Sequence, residues 1–576
     1  MRAPISNEAQ KWLDLLSVDP SKAEAAIAAS LPIVRSDQQT ITWLLVLGLA
    51  HYHLAQYKTA LNVLQREDLE LVEDVDYLVL LGMVARQLPG KSDVALRSYR
   101  RALLLNPLRF DAHYNIGNLI ADEDPDAAIS HYRQALGIES NLASLWHNFG
   151  KTLLHLGDEL DYALLVLKIS IRLDPTVSDV WCNLGLVWYM KQRLDLAESC
   201  FNHSIAIDMD LKNIPLNTNL LYQRCLKLLL RQGCYAKSLA NALWNLSLLW
   251  LFTGDYKLGW YYYDARFATR DYDEVETPTG GKRVYKLADL PDPEGPELVV
   301  WAEQGMGDVI HFCRYLLLLK ARGVRFQFLI FNHQTLFTLC RDWLGLGHSV
   351  SIHLPHSREH DQRPNIPLLS LPRLFGTDLH TVPAITPYLS APEQAPEHLH
   401  ITEPPGGLAV GLVWATNPLN KPMYRQKTCP LELLMPSLID LIDLDLIELH
   451  SLQVGADASE LDPWNGHGRL FDWSDRLKDF SDTAHVIQQL DLVISVDTAV
   501  AHLAAALNKP TWLLLPYTPD YRWMQFTSFS NWYPSMRLFR QKRSADWRSV
   551  TQQLRSAFDE LFLLDLKALT EELIVR

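Results

Sequence analysis

Cysteine is sparse and poorly placed for cross-linking. The 576 residues hold seven, at positions Cys182, Cys200, Cys225, Cys234, Cys313, Cys340 and Cys429. No two form a CxxC pair and the number is odd, which argues against a disulfide framework and for reduced thiols in a cytoplasmic protein. Positive charge is short as well. Lys and Arg number 53 against 67 Asp and Glu, a net charge of -14. Nucleic acid and anionic membrane both need a cationic footprint, so neither is expected as the main partner. Long apolar runs are missing. Stretches such as Tyr315–Leu319 fall far short of the roughly 18 residues a span needs, and Met1–Leu16 is polar and amphipathic, without a signal-peptide core. No membrane span is expected. Neither HExxH nor a strand-end His/Cys cluster occurs, so no metal is expected. What is present is apolar content of 48%, enough to fill the cores of roughly three or four domains.

The first half repeats. Gly48, Gly82, Gly117, Gly150 and Gly185 lie 34, 35, 33 and 35 residues apart, each after an apolar residue. A small residue follows about twelve positions later (Ala60, Ala95, Ala128, Ala163, Ala197), then a large one (Leu64, Tyr99, Tyr132, Leu167, Phe201). Paired helices explain the period: small residues let the two helices of a unit approach, and the large residue is expected to fill the gap to the next unit. Pro107 and Pro175 close two units. The pattern resembles the tetratricopeptide repeat. A degenerate unit, with Trp244, Ser247, Gly254, Gly259, Tyr263 and Arg266, follows from about Asn241, and Leu211–Leu239 reads as a worn one. The segment before Gln39 reads as a helical cap. The array, residues 1–267, either supports the second half or offers a groove to a peptide or protein partner.

Residues 268–297 are rich in Pro and Gly and read as a linker or strap. Strands and helices then alternate. Leu298–Ala302 is a strand, Glu303–Asp308 a glycine-bearing turn, Val309–Arg322 a helix and Arg325–Phe331 a strand. A second series runs through strand Ala409–Trp414, helix Leu431–Leu441, strand Leu446–Leu452 and helix Asp482–Leu490, with Asp482 as its N-cap. Strand Leu492–Ser495, helix Ala499–Leu507 and strand Thr511–Leu515 complete it. Two α/β series joined by a Pro-rich stretch imply two Rossmann-like lobes, with ligands at the carboxyl ends of the strands.

Those ends carry the candidate residues. In Gly305-Met306-Gly307-Asp308 the glycines permit close approach of backbone. Asp308 either accepts a proton from an attacking hydroxyl or serves only as an N-cap. The third glycine of a dinucleotide fingerprint is absent. In Asp497-Thr498-Ala499-Val500-Ala501-His502, free N–H groups at a helix start and the Thr498 hydroxyl suit a phosphate. The alternative is that Asp497 or Thr498 only caps and His502 is structural. Arg425 and Lys427, in the loop after strand Ala409–Trp414, either offer cations to a leaving diphosphate or are idle, exposed loop charges. Arg522 and Trp523, after the last strand, either line the cleft or pack it.

With these residues in view, the second half resembles two-lobed GT-B glycosyltransferases of the heptosyltransferase-like (glycosyltransferase family 9-like) family. The resemblance rests on Trp301–Asp308, Gly411–Ala415, Asp479–Ala484, Asp491–His502, Trp512–Trp523, Trp532–Pro534 and Leu538–Gln541. It implies an acceptor-side lobe at 298–395, a nucleotide-sugar lobe at 396–545 and C-terminal helices at 546–576. It implies a catalytic base at Asp308, donor contacts at Asp497, Thr498 and His502, and a phosphate-binding cation at Lys427. Ala499 stands where the heptosyltransferases commonly have glycine. The expected activity is inverting, metal-independent transfer from a nucleotide sugar, the co-substrate, to a protein or glycan hydroxyl, with no other cofactor. The alternative is a repeat scaffold whose transferase-like domain binds nucleotide without reacting.

Overall fold

A computed structural model describes residues 7–34, 41–65, 72–209, 237–269, 277–331, 333–343, 349–352, 360–394, 396–401 and 407–575. The chain divides into two compact units, Met1–Val187 and Trp188–Arg576.

The first unit is a run of helix pairs: Ile41–His53 with Tyr57–Leu64, Val75–Arg86 with Ser92–Leu105, Phe110–Ile120 with Pro125–Ile138, and Ala143–Leu156 with Leu160–Leu173. Helices Asn7–Val18 and Ala23–Val34 precede them. The glycine period has a steric cause. A Cβ on Gly48, Gly82, Gly117 or Gly150 would lie only 2.5–2.7 Å from Leu64, Tyr99, Tyr132 or Leu167. The large residue thus rests on the glycine of its own unit, not chiefly in the gap to the next as its spacing suggested. Tyr132 does reach onward, with its ring 6.0 Å from that of Phe149. Two helices end at Leu105 and Leu173, just before Pro107 and Pro175. Asp74 and Asp124 cap helices through the N–H groups of Tyr77 and Ala127, each cap worth about 1 kcal/mol.

The second unit begins with helical pieces whose spacing belongs to the repeats. Helices Lys237–Thr253 and Tyr256–Tyr262 form the degenerate pair, joined at Gly254, whose φ of +94° suits glycine. Their side chains enter the core of the α/β part. Trp260 meets Phe312, Tyr521 and Trp532 edge-on at 5.7, 5.8 and 6.4 Å. The division at Val187 therefore separates this pair from the array that ends, by spacing, at residue 267. Residues 211–236, most of the worn unit, lie outside the described residues.

The described part of the 268–297 segment is a strap: Gly280 and Val284 donate to the carbonyls of Asp361 and Asn365, each at 2.9 Å. Two sheets of parallel strands follow, with one antiparallel bridge, Phe529 to Arg537, at the edge of the second. The first has β1 (Leu298–Trp301), β2 (Phe326–Leu329), β3 (Val350–Ser351) and β4 (Asn365–Pro367) in the order β3-β2-β1-β4 among the described residues. The second has β5 (Leu408–Val413), β6 (Ile447–Ser451), β7 (Leu470–Asp472), β8 (Leu492–Val496), β9 (Thr511–Leu515) and β10 (Met536–Arg540) in the order β10-β9-β8-β5-β6-β7. The long middle helix expected at Val309–Arg322 is two helices, Met306–Phe312 and Arg314–Ala321. The helix expected to begin at Asp482 begins at Phe480. Asp479, in extended backbone, accepts from the N–H groups of Ser481 and Asp482 and is the cap. No helix among the described residues is long and apolar enough to cross a membrane.

Candidate active site

Strand β1 delivers the chain into a turn anchored from below. Glu303, whose side chain is fully buried, accepts from Arg266 at 2.6 Å and from the N–H of Leu369 at 3.2 Å. Burial holds its carboxyl above the usual range despite Arg266. Gly305 then opens the helix Met306–Phe312, and its N–H donates to Asp308 Oδ2 at 3.1 Å. Asp308 is thus the third residue of the helix, reaching back to its start, and not the N-cap itself. Its other oxygen pairs with Arg522. Burial raises the Asp308 pKa above the ordinary carboxylate value, with Arg522 opposing.

Strand β8 delivers Asp497 and Thr498 to the start of helix Ala499–Ala506. Thr498 is the N-cap residue, but its hydroxyl turns to Ser495 Oγ at 3.0 Å and makes no cap bond. Among the described residues no side chain caps the first-turn N–H groups, the arrangement that suits an anion. Asp497 pairs with Lys427 Nζ at 2.6 Å and lies 3.9 Å from His502 Nε2. Burial works against the charge on both members of that pair, and the pairing overcomes it: Asp497 titrates below its ordinary range and Lys427 above. His502 is pushed down to about 3 by burial, more than Asp497 offsets, so it is neutral near pH 7.

Lys427 and Arg425, expected in a loop, sit on a short helix, Lys421–Lys427, capped by Asn420. The helix places them differently: Lys427 turns inward to Asp497, while Arg425 is exposed and joins no ion pair among the described residues.

The two strand ends meet at Gly307. A Cβ there would lie 3.1 Å from His502 Cδ2, 3.5 Å from Ala499 Cα and 3.7 Å from Ala499 N. Gly305 has no such constraint, since a Cβ on it would make only ordinary contact with Asp308. Arg522 comes in from the turn Tyr521–Trp523 after β9 and binds Asp308 and, at 2.9 Å, Asp520. Behind them Tyr533 brings its hydroxyl to 3.0 Å from Nδ1 of both His311 and His502.

The structure thus gathers Gly307, Asp308, Lys427, Asp497, Thr498, Ala499, His502 and Arg522, and leaves Arg425 out. Asp520 and Tyr533 went unmarked as site residues in the sequence. The signal for Asp520 was its place beside Arg522 just past a strand end.

Comparison with known proteins fits this geometry. Residues 478–545 match the model of glycosyltransferase family 9 (heptosyltransferase), and residues 89–143 match that of the tetratricopeptide repeat. The chain carries tetratricopeptide repeats and a glycosyltransferase family 9 domain. The family 9 segment includes Asp497–His502, Arg522 and Tyr533; Asp308 and Lys427 lie outside it. Protein FlbA of Caulobacter vibrioides is 23% identical over 535 residues, covering 82% of each chain. A solved structure of MamA is 21% identical, spanning 28% of this chain and 96% of its own with a TM-score of 0.26. One of YrrB, described as a TPR protein with an unusual peptide-binding site, is 19% identical, spanning 34% and 98%, with a TM-score of 0.28.

Proposed function

We propose that this glycosyltransferase domain is of the GT-B type and moves a sugar from a nucleotide-sugar donor to a hydroxyl of a protein or glycan, with inversion and without a metal. The observation that carries this reading is the convergence of a carboxylate of raised pKa, Asp308, with the uncapped helix start at Ala499 and the Lys427–Asp497 pair. Asp308 takes the proton from the acceptor O–H as its oxygen attacks the anomeric carbon. The bond from that carbon to the diphosphate oxygen breaks, and its electron pair leaves with the diphosphate. Lys427 and the first-turn N–H groups of Ala499 and Val500 meet the charge that develops there, the part a metal plays in other transferases. A single displacement inverts the anomeric centre. No cofactor beyond the donor is required. The repeats recruit the acceptor or a partner protein; hydrogen-bonded polar side chains there, Asn148 with Tyr114 and Asn118 at 2.9 and 2.8 Å, suit an extended peptide.

A second reading, a repeat scaffold whose domain binds nucleotide without reacting, is favoured by Ala499 in place of glycine. Donor hydrolysis over a panel of nucleotide sugars separates the two. Wild type is expected to hydrolyse at least one donor, and Asp308→Asn to lose about 100-fold or more in rate, the usual worth of a general base. Asparagine still accepts the Gly305 N–H, so the fold should persist. Binding without hydrolysis in wild type would favour the scaffold reading. A rate within a few-fold of wild type in Asp308→Asn would remove Asp308 from the base role and make His311 the next residue to test.

A further inference from the structure

The cations at the site are already engaged. Lys427 is held by Asp497, and Arg522 by both Asp308 and Asp520. These five groups sum to one net negative charge, which a nucleoside diphosphate, itself anionic, would meet as repulsion unless one cation turned to it. Arg522 is built for that turn. Its guanidinium lies over the rings of Phe312 and Tyr521, at 5.2 and 4.7 Å, in a slot that leaves the side chain 7% exposed. Its Nε is buried without a hydrogen-bond partner among the described residues. Asp520 holds it twice, through the Arg522 N–H at 3.0 Å and through Nη1 at 2.9 Å. Asp520 is thus a local pivot two residues away, while the bond to Asp308 crosses from β9 to the helix after β1.

Asp308, for its part, is engaged on both oxygens: one takes the Gly305 N–H and the other takes Arg522. Each oxygen keeps a second lone pair, but the ion pair with Arg522 stabilises the carboxylate and so weakens it as a proton acceptor.

We propose that Arg522 is a two-position cation: without donor it holds Asp308, and with donor its guanidinium passes to the diphosphate and releases Asp308 as the base. This rests on the donor-site reading above and adds to it a residue that touches the leaving group and an order of events. The diphosphate must be in place before the base is free. A thermodynamic consequence follows from reciprocity between linked binding events. If Asp308 and the diphosphate compete for Arg522, removing the Asp308 charge tightens the diphosphate.

The experiment is calorimetric titration of the full-length chain with uridine, guanosine, adenosine and cytidine diphosphates in turn, continued with whichever binds best. Asp308→Asn is expected to bind it roughly 10-fold more tightly than wild type, within the usual range of site-to-site coupling. Arg522→Gln is expected to bind it at least roughly 10-fold more weakly by the same measure. In the Arg522→Gln background, adding Asp308→Asn is expected to change nothing. Should Arg522→Gln fail to fold, Arg522→Lys replaces it; it keeps the charge but loses the second nitrogen, so the gain from Asp308→Asn should shrink. Lys427→Ala marks the site independently. If binding depends on Lys427 but Asp308→Asn is neutral or weaker, the two-position role is overturned and the donor site stands. If the gain from Asp308→Asn survives without Arg522, the effect is plain charge repulsion and the role is again overturned. If no diphosphate binds wild type, or binding ignores Lys427, the donor-site reading falls and takes this inference with it.

Discussion

Gly307 is the point at which the turn after β1 touches the helix after β8, and it sets how much room an anion has there. An alanine methyl would sit 3.1 Å from His502 and 3.7 Å from Ala499 N, inside the space a phosphate oxygen needs to reach that N–H. Gly307→Ala is expected to weaken nucleoside diphosphate binding about 10-fold, on the order of one charge-assisted hydrogen bond. Its melting temperature should move little, since alanine also favours the helix. Unchanged affinity would place the phosphate away from Ala499. His502 gives a second test at this scale. Its pKa is near 3 when folded and about 6.5 in an unfolded chain. The unfolded state therefore takes up the proton first, and stability that is complete above about pH 6.5 is lost as pH falls toward 3. The slope from this group is up to about 1.4 kcal/mol per pH unit. Urea midpoints from pH 7 to 5 should fall less steeply in His502→Gln than in wild type; equal slopes would mean that His502 is charged beside Asp497. Asp308, Thr498 and His502 were legible in the sequence because a strand, a short turn and a helix start are local features. Arg522 was legible only as a residue past a strand end. Its partner Asp308 lies in the other sheet's connection, and no local pattern encodes that pairing.

Among whole elements, the repeat glycines show when a small residue is obligatory. Gly82→Ala gains up to about 1 kcal/mol of helix propensity. It also sets a methyl 2.5 Å from the Tyr99 ring, and overpacking of a filled contact costs typically 1–3 kcal/mol. The clash is expected to win, with a net loss of about 1–2 kcal/mol in chemical denaturation. Gly137, within helix Pro125–Ile138, has open space where its Cβ would go, so Gly137→Ala should stabilise by up to about 1 kcal/mol. The opposite signs are the test; a stabilised Gly82→Ala would mean that the helices of that pair can move apart. This period was readable because sterics repeat it in every unit. The short strands were not. β3, β4 and β7 have two or three residues each, too few to show alternation, and β4 includes Pro367. β10, Met536–Arg540, has the length and follows Pro534-Ser535, but its run Met-Arg-Leu-Phe-Arg does not alternate with period two. The cap at Asp479 was missed for a similar reason: in Asp479-Phe480-Ser481-Asp482 either aspartate suits an N-cap by type, and only the extended backbone at Asp479 decides.

At the scale of the molecule, sequence period and physical unit disagree about where the second half starts. The repeat spacing runs on to about residue 267, yet the compact division falls at Val187. Spacing records how a helix pair packs on itself: a Cβ on Gly259 would lie only 2.5 Å from Leu251. It is silent on what covers the pair's outer face, and here aromatic side chains of the α/β core do. The difference has a direct test in two truncations. A chain of residues 178–576 keeps the second unit whole. A chain of residues 281–576 keeps both sheets but removes Leu251, Phe252, Tyr256, Trp260 and Tyr263, all at most 2% exposed and part of one core with β1 and the helices beside it. Each such side chain is worth about 1.5–3 kcal/mol on burial, against a net stability of roughly 5–15 kcal/mol for a folded domain. Removal of Arg266 adds a further cost: Glu303 would keep its buried place without its cation, a loss of the order of 3–5 kcal/mol for a broken buried pair. The shorter chain is therefore expected to lack a cooperative thermal transition or to come out insoluble, while residues 178–576 melt cooperatively. Equal, cooperative melts for the two would show that the degenerate pair only rests on the sheets, and that the boundary belongs near residue 267 after all. Any assay of the transferase apart from its array should for this reason begin before Trp188, because a cut in the strap would remove one wall of the core that holds Phe312 and Tyr521 around Arg522.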